Sequence, residues 1–236
     1  MARRDESKRK SASPSNRDEL KARRQREERQ KLIPILLIAV AAIVVVVILI
    51  SSNLTPKTVA SRPQASGLAM GDPNAPVKVE EFADFQCPAC GIFSTELEPQ
   101  IVKDYVTPGK VHFKYTPFAF IGPESNTAAE AAYCASDQGK FWEYQDTLYN
   151  NQSGENKGWF SNARMITFAT NIELNVDDFK KCLEGGKYKQ AVLDDMEYGK
   201  KNNIDRTPSF LVNGKVVYAD TLDAAIKTAL AAKGIK

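Results

Sequence analysis

The chain has one histidine, His112, in 236 residues. That scarcity excludes metal centres built on several imidazoles, and it leaves His112 as the sole imidazole able to activate a nucleophile. Cysteine is also sparse, at four. Only Cys87 and Cys90 have the close spacing of zinc ligands. Cys134 and Cys182 stand 48 positions apart, so a four-cysteine metal site is poorly patterned and none is expected. No cysteine lies near the long apolar run described below, which gives no support to a lipoprotein anchor. No internal repeat is visible. Nor is there a basic surplus outside the N-terminal tail. Residues 1–31 hold 12 Lys/Arg against 6 Asp/Glu in a chain of formal charge +3, so the remainder is acidic by about three charges. The basic character belongs to the tail, which argues against a nucleic-acid surface on the folded part.

What is present begins with an uninterrupted apolar run from Leu32 to Ile50, 19 residues without a charge. As a helix it would span about 28 Å, close to the hydrocarbon thickness of a bilayer. Pro34 falls in the first turn, where its missing N–H costs little. The run is apolar on every face, which argues against a buried core helix. Arg23, Arg24, Arg26, Arg29 and Lys31 crowd its N-terminal flank, whereas residues 51–70 carry only Lys57 and Arg62. The positive-inside rule then leaves residues 1–31 as a cytoplasmic basic tail, 32–50 as a single transmembrane helix and the rest outside the cytoplasm. The run is longer than a usual signal core, and no strong small-x-small site follows it closely, so an uncleaved anchor is favoured over a cleaved signal. Residues 51–70 are rich in Ser, Thr, Pro and Ala and read as a flexible linker.

The folded domain is expected over 71–236. Residues 77–84 are a strand candidate. Cys87 to about Tyr105 reads as a helix, with Phe93, Leu97 and Ile101 at four-residue spacing. Residues 111–115 alternate as a strand. A helical stretch follows over about 124–203, with two glycine-marked breaks. Residues 209–212 return to strand, Asn213-Gly214 is a two-residue hairpin turn, 215–218 pairs back, and 222–233 closes the chain as a helix. A helix, a strand and a second helix between Cys90 and Pro208 would need only about 40 residues. Here 118 positions separate them, enough for an inserted helical subdomain.

The chemistry concentrates in Cys87-Pro88-Ala89-Cys90. A strand leads in and a helix leads out, so Cys87 stands where unpaired backbone N–H groups and the helix dipole stabilise a thiolate. Such a thiolate exists at neutral pH and leaves easily, and disulfide exchange needs both properties. A purely structural bridge across so short a loop would constrain little chain entropy. A cysteine hydrolase would need His112 beside Cys87, and nothing in the sequence suggests that. The companion motif is Thr207-Pro208 at the head of a strand. A proline there cannot be an ordinary interior strand residue. It can be a cis-proline beside the dithiol, where a missing N–H and an exposed neighbouring carbonyl receive an extended peptide.

These residues together resemble the DsbA-like thiol–disulfide oxidoreductases of the thioredoxin superfamily. The resemblance runs through residues 79–90, then 133–144 with Cys134, then 179–188 with Cys182, then Thr207-Pro208-Ser209-Phe210-Leu211-Val212-Asn213-Gly214, and covers about 70–234 in order. The tethered arrangement resembles single-span bacterial members. The resemblance implies an α/β thioredoxin-like fold with an inserted helical subdomain. It implies thiol-containing polypeptide substrates, no bound cofactor because the cysteines carry the electrons, and a membrane redox partner of the DsbB or vitamin K epoxide reductase type. It makes Cys87 the nucleophile and Cys90 the resolving thiol, places Thr207 and cis-Pro208 against substrate, and matches Glu81 to the buried acid beneath the dithiol, a proton relay. Of Glu80 and Glu81, one must face inward, and Glu81 is the choice. Cys134 and Cys182 read most simply as a structural disulfide in an oxidising compartment, with two reduced thiols as the alternative. Two positions depart from the pattern. Ala89 stands where the strongest oxidants have histidine, so a lowered but not extreme Cys87 pKa is expected. Gln145 stands where many relatives have histidine, without an evident mechanism.

The expected function is an extracytoplasmic oxidase that introduces disulfides into secreted or membrane proteins. The alternatives are a reductase or isomerase on the same scaffold, and a membrane-tethered metal carrier using the CxxC pair.

Overall fold

The structure, a computed structural model, describes residues 62–235. The tail at 1–31 and the apolar run at 32–50 lie outside them. Among the described residues, no helix is long and apolar enough to cross a membrane.

In chain order the elements are β1 (Ala69–Met70), β2 (Val77–Ala83), a helix α1 over 88–106, β3 (Val111–Pro117), then the five helices α2 (Pro123–Ser136), α3 (Phe141–Asn150), α4 (Asn162–Asn171), α5 (Val176–Glu184) and α6 (Lys189–Lys201), followed by β4 (Ser209–Val212), β5 (Lys215–Tyr218) and α7 (Leu222–Ala231). The described strands form one sheet in the order β1-β3-β2-β4-β5. β2 and β3 run parallel, with Lys78 opposite His112 and Glu81 opposite Tyr115. A parallel pair needs a crossover, and α1 provides it. This is the thioredoxin-like α/β arrangement, with α2–α6 inserted before β4.

β2 sits centrally and its side chains alternate between two cores. Val77, Val79 and Ala83 join the main core, where Phe85, Phe93, Phe113, Tyr115 and Phe210 meet Phe141, Tyr144, Leu148 and Phe179 of the insertion. Phe82 points to a smaller cluster with Phe118, Ile204 and Leu211. Glu81 therefore shares the main-core face and is fully buried. Glu80 lies on the other face, where it accepts from Lys114, Thr116 and Tyr198.

α1 departs from the uniform helix that its spacing suggests. It alternates α turns (Pro88–Ile92, Glu98–Ile101) with π turns (Phe93–Leu97, Val102–Val106). Pro99 supplies the reason. It has no N–H for the i−4 bond, and its ring crowds the Thr95 carbonyl, so the turn before it widens. The widening shifts the register. Phe93 and Ile101 are buried, but Leu97 is 46% exposed, and Glu98 takes the inward place at 0%.

The linker expected at 51–70 is corrected over its described part. β1 pairs antiparallel with β3. Arg62, its side chain 7% exposed, forms ion pairs with Glu98 and Asp146 and lies over the Trp142 ring. Composition suggested a tether because one buried arginine and a two-residue strand leave no periodic pattern.

The insertion also has more breaks than its glycines announced. Gly139, at φ 71°, ends α2, and Gly185-Gly186 ends α5. The break before α5 is made instead by Asn175, whose side chain accepts from the N–H groups of Asp177 and Asp178. In the hairpin, Asn213 at φ 47° and Gly214 at φ 81° have the paired positive angles of a tight two-residue turn.

Candidate active site

Cys87 is the N-cap of α1, with extended backbone (φ −70°, ψ 118°) and Pro88 in the first helical turn. Asp84, buried at the end of β2, organises the approach. Its carboxylate accepts from the N–H groups of Gln86 (2.8 Å), Phe120 and Ile121 (3.0 Å each) and from the Ser125 hydroxyl (2.6 Å). Burial raises its pKa, and these four donors oppose the rise. The Gln86 side chain donates to Ser125 at 2.8 Å and accepts from the Asn156 N–H at 2.6 Å. These contacts pin the Asp84–Cys87 segment to the insertion.

The two thiols are free and differ in environment. Cys87 has its pKa lowered to about 6. The hydrogen bond from the Cys90 thiol contributes most, burial works against it, and the Thr207 side chain and the N–H groups of Cys90 and Ala89 add to it. The Thr207 side chain is buried and acts on Cys90 as well, where it lowers the pKa. Cys90 is fully buried, and its pKa lies well above the usual thiol range. Burial is the main cause, followed by its donation to Cys87 and the charges of Cys87 and Glu81. One thiol is thus a thiolate at neutral pH and its neighbour is not.

Glu81 has both carboxyl oxygens buried without a hydrogen-bond partner. Burial raises its pKa to about 8, and the positive charge of Arg62 pulls against this. Under the dithiol, the Tyr115 and Tyr149 hydroxyls meet at 2.8 Å, and Phe85 stacks on Tyr115 at 5.2 Å between ring centroids. The Thr207–Pro208 peptide is cis, and the Thr207 carbonyl lies 3.5 Å from the Cys87 sulfur, where it accepts the S–H when Cys87 is protonated. Arg206, just before it, stacks over the Tyr218 ring at 3.9 Å.

The fold thus brings Cys87, Cys90, Glu81, Thr207 and Pro208 together. Cys134 on α2 and Cys182 on α5 are joined by a disulfide within the insertion. His112 pairs with Lys78 near the start of β2, five rungs, or about 16 Å, from Ala83 at the end that leads to Cys87. It cannot serve as that thiol's base. Among the described residues, no three of His, Cys, Asp and Glu cluster to hold a metal ion. Gln145 turns its amide to Ser94 (3.3 Å) and to Glu98 (3.0 Å). Asp84 and Arg62 were not singled out from the sequence. An Asp closing the strand before a CxxC was a usable signal for the first, and none existed for the second.

A cis-proline loop facing a low-pKa N-cap thiolate, on a thioredoxin-like fold with a helical insertion, defines a DsbA-like thiol–disulfide oxidoreductase. The chain belongs to the thioredoxin family, whose pattern matches residues 64–232. It is 32% identical over 156 residues to "Probable disulfide bond formation protein D" of Bacillus anthracis, covering 64% of this chain and 72% of that protein. It is 29% identical over 163 residues to "Disulfide bond formation protein D" of Bacillus subtilis, covering 67% and 73%. The crystal structure of oxidised BdbD from Bacillus subtilis superposes with a TM-score of 0.65 at 26% identity, over 73% of this chain and 97% of that one.

Proposed function

We propose that this oxidoreductase works as an oxidase, introducing disulfides into secreted or membrane polypeptides outside the cytoplasm. The observation that carries this reading is the split between the two thiols. A Cys87 pKa held near 6 stabilises the reduced pair relative to free thiols, which makes the disulfide form the stronger oxidant. The relatives named as disulfide bond formation proteins support the same direction.

In the proposed cycle, a substrate thiolate attacks the Cys87 sulfur of the oxidised pair. The Cys87–Cys90 bond breaks, and Cys90 leaves as a thiolate. Glu81, protonated up to about pH 8, supplies the proton that the buried Cys90 sulfur requires. A second substrate thiolate then attacks the substrate sulfur of the mixed disulfide and expels Cys87 as its stabilised thiolate. Two electrons pass from substrate to the pair. Thr207 and Pro208 hold the substrate backbone, and the Cys134–Cys182 bond clamps α2 to α5. The length of the apolar run at 32–50 and the charge at its flanks support a single-pass anchor with residues 51–236 outside. A membrane partner of the DsbB or vitamin K epoxide reductase type would take the two electrons back from the pair.

The reduction potential against glutathione tests the direction. A value clearly above roughly −270 mV, displaced toward the roughly −120 mV of the strongest oxidants, is expected, and one near roughly −270 mV would overturn the oxidase in favour of a reductase. Replacing Cys90 with Ser should accumulate mixed disulfides through Cys87. Failure to trap any would remove Cys87 as nucleophile.

A further inference from the structure

The stretch between α3 and α4 reaches across to the start of α1. There the Gln152 side-chain amide donates to two carbonyls at once, that of Phe85 at 2.7 Å and that of Cys87 at 3.0 Å. The Cys87 carbonyl also accepts the first helical N–H of α1, from Gly91 at 3.2 Å. Gln152 therefore grips the N-cap residue through its carbonyl, and the residue two before it. The other end of the same amide explains a glycine. A Cβ on Gly91 would lie 2.5 Å from Gln152 Oε1, so the helix turn that carries Cys90 leaves room for this side chain. Four residues on, Asn156 holds the Gln86 side chain through its backbone N–H. One segment of the insertion thus touches Phe85, Gln86 and Cys87 in succession.

We propose that Gln152 is a positioning residue for Cys87. By tying down the carbonyls of Phe85 and Cys87, it fixes the N-cap geometry that keeps the helix N–H groups aimed at the sulfur. Two physical effects follow. The thiolate draws on the N–H groups of Ala89 and Cys90, and that help falls off quickly if the first turn frays. The amide also offsets the partial negative charge of the carbonyl on the same residue as the thiolate. The inference rests on Cys87 being the reactive sulfur, as proposed above.

The test is a thiolate titration of the reduced full chain by ultraviolet absorbance, alongside its melting temperature. In Gln152→Ala the Cys87 midpoint should rise by about half a unit, roughly a threefold loss in the thiolate-to-thiol ratio. Gly91→Ala attacks the same clamp from the other side. Its methyl displaces the flexible amide, while alanine is otherwise favourable within a helix. It should reproduce the shift, and the double variant should show no further one. If Gln152→Ala does not fold, Gly91→Ala carries the test alone. A midpoint unchanged in the folded variants, whatever happens to melting, overturns the proposal and leaves Gln152 as structural support. A shift in Gln152→Ala that Gly91→Ala fails to reproduce overturns it too. A parent protein with no thiolate near pH 6 is a separate result, against Cys87 as the reactive sulfur.

Discussion

Cys87 and Cys90 stand three positions apart at the head of one helix and carry free thiols, whereas Cys134 and Cys182 stand 48 apart on two helices and are bonded. Both pairs are largely buried. What separates them is the surrounding charge and backbone. The first pair has a helix N-terminus, a cis-proline loop and an unpartnered carboxyl beside it. The second joins an alanine-rich helix to its neighbour, with Ala128, Ala131, Ala132 and Ala135 buried around it. A sulfur becomes reactive where an anion can be stabilised at its atom, and burial alone does not achieve that.

The widest gap between the pairs should appear in turnover. Cys87→Ser is expected to lower oxidation of a dithiol peptide by about 10³-fold or more, as loss of a covalent nucleophile does. Replacing Cys134 and Cys182 together with alanine should leave the Cys87 titration in place and cost about 4 kcal/mol in urea unfolding, from the loop of 48 residues released. A shifted Cys87 midpoint in that variant would mean that the two pairs are not independent.

Glu81 sharpens the same contrast through pH. Its folded pKa of about 8 is above its ordinary 4.5. The folded state binds the proton more tightly, so the contribution to stability is full below about 4.5 and is lost as pH rises through about 8. Glu81→Gln should remove that fall, a difference of roughly 5 kcal/mol between the two proteins' pH–stability curves. Parallel curves would show that the carboxyl is not buried against the dithiol. A smaller effect is expected at the exposed position 89. Ala89→His should lower the Cys87 midpoint by up to about one unit by adding an imidazole beside the thiolate, measurable from the pH dependence of alkylation. No change would confine the stabilisation to the groups already described.

Much of this site was legible because its signals are local. Cys87-Pro88-Ala89-Cys90 carries its own helix start, and Asn213-Gly214 its own turn. Thr207-Pro208 marks a strand head where an ordinary ladder residue cannot stand. Leu97 was misplaced because four-residue spacing assumes α turns throughout, and Pro99 widens the turn before it. Arg62 was missed because an isolated arginine in a polar stretch looks solvated, and its partners Glu98 and Asp146 lie 36 and 84 residues away. Gln152 was missed for a related reason. Its partners are backbone carbonyls, which leave no trace in side-chain identity.

By itself, then, the sequence determined the reactive pair, the proline loop, the order β2, α1, β3, β4, β5, α7 and the presence of a helical insertion between β3 and β4. Each of these follows from short-range constraints on backbone angles and hydrogen bonding. Tertiary structure alone decided which sulfur becomes an anion. That outcome depends on Cys90 being buried beside Cys87, on Thr207 arriving from 120 positions away, and on Glu81 facing the same core. Electrostatic energies are set by distance and burial in space, and sequence separation carries neither.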